Sequence, residues 1–336
     1  MSTNSQKPVL IIGGSGVVGS LAAKTLRQLQ PALPITIGGR DLARAEAVAR
    51  ELGNADAARV DLGRPDLGQP GSRAYSAIVM FVKDDTLNSL RYAQTQGAAY
   101  LGISTALFEV APEVAYFIHQ PTRSAVLMAS NWLAGAATLS TLHFARAFQS
   151  LDAIEITAVL DEQDVGGPAA LVDLERQTKA APSSLVLEQG RWRWAEAASS
   201  ARTVRGVDGH ALHAQPYSLL DPASLAAATE AKSVRFDVSV GMSSSRRRGE
   251  PFSTEFIIEL EGVLEDGTRA RVRHEVTHPR GQAPVTAMGV AVAVERLLGL
   301  SGGAPAAPGL YLPETLIAPE YLVQRLQESG VRFSRV

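Results

Sequence analysis

The sequence predicts an α/β fold: a doubly wound parallel sheet at the N-terminus, then a second α+β domain built on a mixed, mainly antiparallel sheet. Two observations carry the first half. Short uninterrupted apolar runs alternate with segments of helical apolar spacing over roughly the first 130 residues, and the runs have the length of strands buried on both faces. One observation carries the second half: beyond about residue 150, apolar residues alternate singly with polar ones, as in strands with one face on a core.

The elements follow in order. Val9–Ile12 is the first buried-strand run. Val17–Gln30 places Val18, Leu21, Ala22, Leu26 and Leu29 at helical spacing. Pro31 and Pro34 punctuate before a second strand, Ile35–Ile37, and Asp41 suits the N-cap of a helix over Leu42–Leu52 that Gly53 closes. Ala58–Val60, Ala77–Val82, Ala99–Ile103 and Ala125–Ala129 are the remaining strands of this half, with helices over Leu87–Gln96 and Phe108–His119 between them. Strand candidates of the second half are Ile154–Leu160, Leu185–Leu187, Val234–Val240, Phe256–Leu264 and Ala270–Val276, with a helix at Ala169–Lys179. The Asp-Gly pair in Glu265–Thr268 marks a tight hairpin. The pattern turns helical again from near Pro284 to Leu300, Ser301–Gly309 reads as a connector, and Pro319–Ser329 as a closing helix. These features predict residues 1–132 as one domain, completed by C-terminal helices in 284–336, and residues 133–283 as a second domain for substrate and dimerisation.

The composition bounds the function. A chain of 336 residues suits two domains, and 46% hydrophobic with 20% charged residues describes a globular protein with ample core material. A net charge of -2 offers no basic field for nucleic acid or an anionic membrane, and no apolar run approaches the roughly 20 residues of a membrane span. The N-terminal MSTNSQK lacks a hydrophobic signal core, so a cytoplasmic protein is expected. The chain has no cysteine, which removes disulfides, thiolate metal sites and cysteine nucleophiles, and the histidines lack the spacing of a metal site.

Gly14-Ser15-Gly16-Val17-Val18-Gly19 fits G-x-G-x-x-G between a strand and a helix, with a second strand at the right distance. In that context Gly14 permits a tight turn, Gly16 lets a pyrophosphate approach the backbone, and Gly19 lets the helix pack close to the sheet. The helix N-terminus presents its first amides to the phosphates. The plain alternative is a structural turn. An acidic residue ending the second strand would hold the ribose 2′-OH of NAD. This chain has Gly38-Gly39-Arg40-Asp41, and a guanidinium suits a 2′-phosphate, so NADP is preferred to NAD. Asp41 is either a ribose contact or a helix cap. Asp61, past the third strand, either meets the adenine edge or caps a turn. Lys83 and Asp84 end the fourth strand, where ligands of such sheets bind; a solvated loop and a helix cap are their alternatives.

The chain resembles the saccharopine dehydrogenase-like reductases. IIGGSGVVG with GGRDLARAEAVARELG is similar to that family's opening. YLGIST, Tyr100–Thr105, is similar to its fifth strand, which ends near a Ser or Thr. VTAMGVAVAVERLLG and APGLYLPETLIAPEYLVQRLQESGV are similar to its closing segments. Residues 155–280 carry little of the likeness, and Ala129-Ser130-Asn131-Trp132 departs from the Gly/Pro-rich turn common in the family. The resemblance implies a nicotinamide cofactor (with Ser104 among its contacts), a dinucleotide-binding Rossmann domain, a homodimer, and chemistry on a small-molecule C=N substrate such as an amino-acid imine. A carbonyl or enoyl reductase, or a dinucleotide-binding sensor without turnover, are the alternatives.

Hydride transfer asks little of the protein beyond placement, a dry pocket and a proton source. Asn131 and Trp132 follow the sixth strand, Asp161 leads an acidic cluster with Glu162 and Asp164, and Lys83 ends the fourth strand; these four are the catalytic candidates. Each has a plain alternative as core filler, solvated strand end or loop. His143 reads as structural and His274 as a weak proton-donor candidate. Arg246-Arg247-Arg248 is a solvated loop or a reader of acidic substrates, and Gly190–Trp194 (GRWRW) is an interface or a pocket wall.

Overall fold

The computed structural model describes residues 7–164 and 166–336. Apart from Lys7, the N-terminal segment read above for a signal lies outside the described residues. The chain divides into two compact units, residues 1–130 with 286–317, and residues 131–285 with 318–336.

The first unit is built on a seven-stranded sheet whose strand pairs are all parallel. Its strands are β1 (Val9–Ile12), β2 (Ile35–Gly39), β3 (Ala55–Arg59), β4 (Ala77–Met80), β5 (Ala99–Gly102), β6 (Ala125–Met128) and a seventh, Gly309–Tyr311. The spatial order runs from the seventh strand through β6, β5, β4, β1 and β2 to β3. Direction of travel therefore reverses at β1, the switch point at which such sheets open a crevice beyond their strand ends. Every residue of β1, β4, β5 and β6 is buried, which is why these strands read as unbroken apolar runs. The helices are α1 (Val17–Leu29), α2 (Leu42–Leu52), α3 (Asn88–Gln96) and α4 (Val110–Ile118). α1 buries Gly19, Ala22, Ala23 and Leu26, one stripe of mostly small side chains that lets it lie close to the sheet.

The second unit holds a nine-stranded mixed sheet. Its strands are β7 (Phe148–Asp161), β8 (Ser183–Glu188), β9 (Arg191–Glu196), β10 (Arg202–Arg205), β11 (Ala211–Pro216), β12 (Ser233–Gly241), β13 (Thr254–Leu264), β14 (Arg269–His278) and a last strand, Arg332–Arg335. Only β7 and β12 pair in parallel; the other ladders are antiparallel. The β13–β14 hairpin turns at Gly267, whose φ of +82° explains the Asp-Gly pair. Helices α5 (Ala136–Ala145), α6 (Pro168–Ala180) and α7 (Asp221–Thr229) belong to this unit.

Two differences from the sequence reading stand out. The closing helix, Pro319–Glu328, and the last strand fall in the second unit instead of completing the first, because Arg332–Arg335 adds to the edge of β14. The connector after Leu300 ends in a strand, Gly309–Tyr311, that pairs with β6. Both strands are short, and a short edge strand leaves little periodicity to read.

Candidate nucleotide-binding site

The turn between β1 and α1 is shaped by backbone constraints. Gly13 adopts φ +82°, a conformation side chains disfavour, and its amide bonds the Gly38 carbonyl at 2.9 Å. Gly16 N–H donates to the Gly13 carbonyl at 3.0 Å, closing the loop. A Cβ on Gly19 would sit 2.3 Å from the Gly13 carbonyl oxygen, and one on Gly14 would sit 2.7 Å from the Ile11 carbonyl. Gly16 is different: it is exposed, and its Cβ would meet only the Gly13 oxygen at 3.2 Å. Gly14 and Gly19 are therefore required by the fold, whereas Gly16 leaves the loop surface open.

Gly16 is the N-cap of α1, and no side chain among the described residues caps the helix. The first-turn amides of Val17, Val18 and Gly19 have no intrahelical acceptor. Val17 is half exposed. An uncapped, outward helix start beside a glycine loop fits an anionic diphosphate through N–H donation and the helix dipole.

Several sequence candidates converge on this turn. A Cβ on Gly39 would lie 3.5 Å from Ser15 Oγ, so the end of β2 abuts the glycine loop. Arg40 follows it, exposed, with no hydrogen bond or ion pair among the described residues. Val60 N–H bonds the Gly39 carbonyl at 2.9 Å, which brings Asp61 to the same end of the sheet. Phe81 and Val82 lie within 3.2 Å of a Cβ built on Gly13, so the segment carrying Lys83 and Asp84 runs beside the loop.

The carboxylates there serve the chain. Asp41 caps α2 by accepting the Arg44 N–H at 3.1 Å. Asp61 accepts the Gly63 N–H at 3.0 Å in a turn. Asp84, buried, accepts from Thr86 (N–H at 3.0 Å, Oγ1 at 2.6 Å) and Ser89 (N–H at 2.8 Å, Oγ at 2.6 Å). Ser104 is buried just past β5. Lys83 pairs with Glu109 at 3.4 Å.

Sequence reasoning passed over two features. The Arg44 guanidinium reaches back to within 3.5 Å of the Ser15 carbonyl, a second cation beside the loop, and its position one turn beyond Arg40 was the available signal. Glu113, buried on α4, accepts from Thr105 Oγ1 at 2.7 Å. Burial pushes its carboxyl above the ordinary range, partly offset by the Thr105 bond and Lys83. Nothing in the local pattern of FEVAPEV marked this residue.

The other catalytic candidates lie in the second unit. Asn131 donates from Nδ2 to Thr138 Oγ1 at 3.0 Å and Ser224 Oγ at 3.1 Å; its Oδ1 has no partner among the described residues. Trp132 is buried against Tyr217 and Phe236, its N–H donates to Asp221 at 2.8 Å, and its indole Nε1 has no partner among the described residues. Asp161 ends β7, 1% exposed, and accepts from Arg246 at 2.8 Å and from the Ser243 N–H at 2.7 Å. The arginines at 246–248, read as a loop, close a short helix over Ser244–Arg247, and each has a partner within the chain: Arg246 with Asp161, Arg247 with Asp208 at 2.6 Å, Arg248 with Glu250 at 3.0 Å. His274 stacks on Phe144 at 3.8 Å, and burial, Arg335 and His143 lower it to about 4, so it is uncharged at neutral pH. Among the described residues no cluster could hold a metal ion, and no helix is long and apolar enough to cross a membrane.

No protein-family model and no curated protein matches the sequence. Solved structures do match. Apo saccharopine dehydrogenase (L-Glu forming) from Saccharomyces cerevisiae aligns over 98% of this chain and 100% of its own, at 12% identity and a TM-score of 0.68. A probable dehydrogenase from Thermotoga maritima (11% identity, 98% of each chain, TM-score 0.49) also aligns. So does GenD2 from gentamicin A biosynthesis in complex with NAD (11% identity, 100% of this chain and 98% of that one, TM-score 0.46). The chain thus has the fold of saccharopine dehydrogenase.

Proposed function

We propose that the protein is a nicotinamide-dinucleotide-dependent oxidoreductase that uses NADPH in preference to NADH. We assign it hydride transfer to or from a small C=N substrate of amino-acid type. The observation that carries this reading is the N-terminus of α1, opened by Gly16 and without a side-chain cap, next to Arg40, exposed and without a partner among the described residues. Gly14, Ser15, Gly16, Val17, Val18 and Gly19 would hold the pyrophosphate, and Arg40 a 2′-phosphate, with the nearby Arg44 adding positive charge. The capping role of Asp41 leaves its carboxylate poorly free to select a 2′-OH, which favours NADP. Lys83, Asp84 and Ser104, at the ends of β4 and β5, are assigned to the nicotinamide half, and Asp61 to the adenine half.

Bound there, the nicotinamide would supply or accept the hydride. The protein's own part is to bind, orient and exclude water. Asn131 Oδ1 and Trp132 Nε1, both buried without partners among the described residues, are the groups proposed to meet a polar substrate. Asp161 and Lys83 are paired with Arg246 and Glu109, which suits a charge-holding role better than proton transfer. The likeness to an enzyme named as L-Glu forming supports an amino-acid-type substrate, with a carbonyl or enoyl substrate as the same-class alternative. The second unit is assigned to substrate contacts and to pairing in a homodimer.

The test is a fluorescence titration with NADPH and NADH, repeated on Arg40→Ala. Preferential NADPH binding that weakens about tenfold or more in the variant, with NADH unaffected, is expected for a lost charged contact. Equal loss for both cofactors would sink the 2′-phosphate assignment, and binding of neither would sink the whole reading. A second reading, binding without turnover, draws on the internal pairing of Asp161 and Lys83. NADPH oxidation with any member of an imine, keto-acid and enone panel removes it.

A further inference from the structure

Where β4 and β5 end, the buried Glu113 carboxyl faces Lys83, Glu109 and Asp84. Asp84 is buried as well, and Lys83 and Glu109 are largely so. Ionised together, three carboxylates would share one cation in a cluster with little water, and like charges in such a setting disfavour one another. One carboxyl of the three is therefore expected to keep its proton.

Hydrogen-bond donors decide which. Asp84 accepts from the amides and hydroxyls of both Thr86 and Ser89. Glu109 accepts the Ala106 N–H at 2.9 Å and meets the Lys83 ammonium at 3.4 Å. Glu113 accepts from Thr105 Oγ1 at 2.7 Å, its one donor among the described residues. Donors favour the ionised form, so Glu113, which has fewest, is left to carry the proton. Its raised value agrees: burial lifts it, Thr105 and Lys83 offset part of the rise, and Glu109 and Asp84 add to it. Tyr100 is the other titratable group beside Glu113. It lies 3.5 Å from Ser89 Oγ, and burial pushes its phenol up, so it stays neutral.

The place of this proton matters as much as its presence. Thr105 lies just past β5, and its N–H donates to Ser130 Oγ, just past β6, at 3.0 Å. Val82, which precedes Lys83, packs against the glycine loop. The cluster thus sits at the strand ends assigned above to the nicotinamide half. A hydroxyl has one hydrogen and two lone pairs. When Glu113 is protonated and donates to Thr105 Oγ1, the hydrogen of Thr105 is free for another partner.

Resting on the nicotinamide reading, we propose that Glu113 stores the proton that accompanies hydride transfer and passes it to the substrate nitrogen through the Thr105 hydroxyl. In the reducing direction the imine carbon takes the hydride, with its electron pair, from the dihydronicotinamide, which is oxidised. The imine nitrogen bonds the Thr105 hydroxyl proton. The Glu113 O–H bond breaks as its proton replaces that one on Thr105 Oγ1. Glu113 is left as a carboxylate near a nicotinamide ring that has become positive, and it recovers its proton from water. A positive ring favours the ionised carboxyl and a neutral ring does not, so the protonation of Glu113 follows the redox state of the cofactor.

This coupling is readable without a substrate. Calorimetric titration of the full chain with NADP+ and with NADPH, in buffers of different ionisation enthalpy over about pH 5 to 8, counts the protons released on binding. Both cofactors carry the same phosphates and adenine, so those contributions cancel in the difference. NADP+ should release more than NADPH, by about half a proton or more per site at the pH of largest difference, since a close opposite charge lowers a carboxyl by roughly 1–3 pH units. In Glu113→Gln the difference should vanish while both cofactors still bind. Thr105→Val removes the donor to the ionised form and should move the largest difference to higher pH; Thr105→Ser should leave it in place. Equal proton counts for the two cofactors, or a difference that survives in Glu113→Gln, overturns the proposal. If Glu113→Gln fails to fold, an unmoved maximum in Thr105→Val overturns it instead. Binding of neither cofactor is a separate failure, which removes the nicotinamide reading and this proposal with it.

Discussion

The Asp41 carboxylate accepts the Arg44 backbone N–H at 3.1 Å, which makes the acidic residue at the end of β2 a helix cap. Asp41→Ala should therefore cost about 1 kcal/mol of stability, the usual value of such a cap, while Asp41→Asn should cost little. NADPH affinity should change by less than about twofold in either, against the larger loss expected for Arg40→Ala. Urea denaturation and cofactor titration of the same three variants check this.

Gly16 and Gly19 should respond in opposite ways to the same substitution. Gly19→Ala drives a methyl to within 2.3 Å of the Gly13 carbonyl oxygen and should destabilise by about 2–3 kcal/mol as the loop shifts. Gly16→Ala meets one atom at 3.2 Å and should leave stability nearly unchanged, yet place a methyl where a phosphate would approach. Thermal melts with and without NADPH separate the two: cofactor-dependent stabilisation should vanish in Gly16→Ala without a drop in the apo melting temperature.

Arg246→Ala leaves the Asp161 carboxylate buried without its cation. Burial pushes that carboxyl up, but the bonds from Ser243, Gln163 and Arg246 outweigh it and hold it below the ordinary value. A depressed carboxyl contributes stability above its unfolded value and loses it as pH falls through the lowered one. The variant should thus be about 2 kcal/mol less stable at pH 7, allowing for the partial exposure of Arg246. That deficit should shrink toward pH 3 in urea titrations; a deficit independent of pH would mean that packing alone explains the loss.

His274 gives a dependence in another window. Its folded value of about 4, below the ordinary 6.5, means that the unfolded chain takes up a proton first as pH falls. Stability is complete above about pH 6.5 and should decline by roughly 1–2 kcal/mol toward pH 4, discounted for its half-buried setting. In His274→Phe, which keeps a ring on Phe144, that part of the slope should be missing. An NMR titration that found the imidazole charged at pH 6 would contradict it.

The first unit was legible because β1, β4, β5 and β6 are buried on both faces and its helices on one. Val9–Ile12, Ala77–Met80 and Ala125–Met128 each appear as bare apolar runs. The glycine turn was legible because the backbone itself demands those residues. β10, β11 and the last strand were not: Arg202–Arg205 and Arg332–Arg335 are short, charged edge strands, and the partner of the last one, β14, lies far off in the chain.

The sequence by itself determined the α/β class, the parallel sheet and the glycine loop, because local periodicity and steric need at a turn are written residue by residue. Only the tertiary structure decided what the polar candidates do. Asp41, Asp61, Asp84, Asp161 and the arginines of 246–248 were each open to a binding or a structural role. Their partners stand up to 85 residues away, as Arg246 does from Asp161, and a carboxylate's role depends on which donor reaches it once the chain has folded. Arg40 remained open to solvent for the same reason: no acidic group among the described residues forms an ion pair with it.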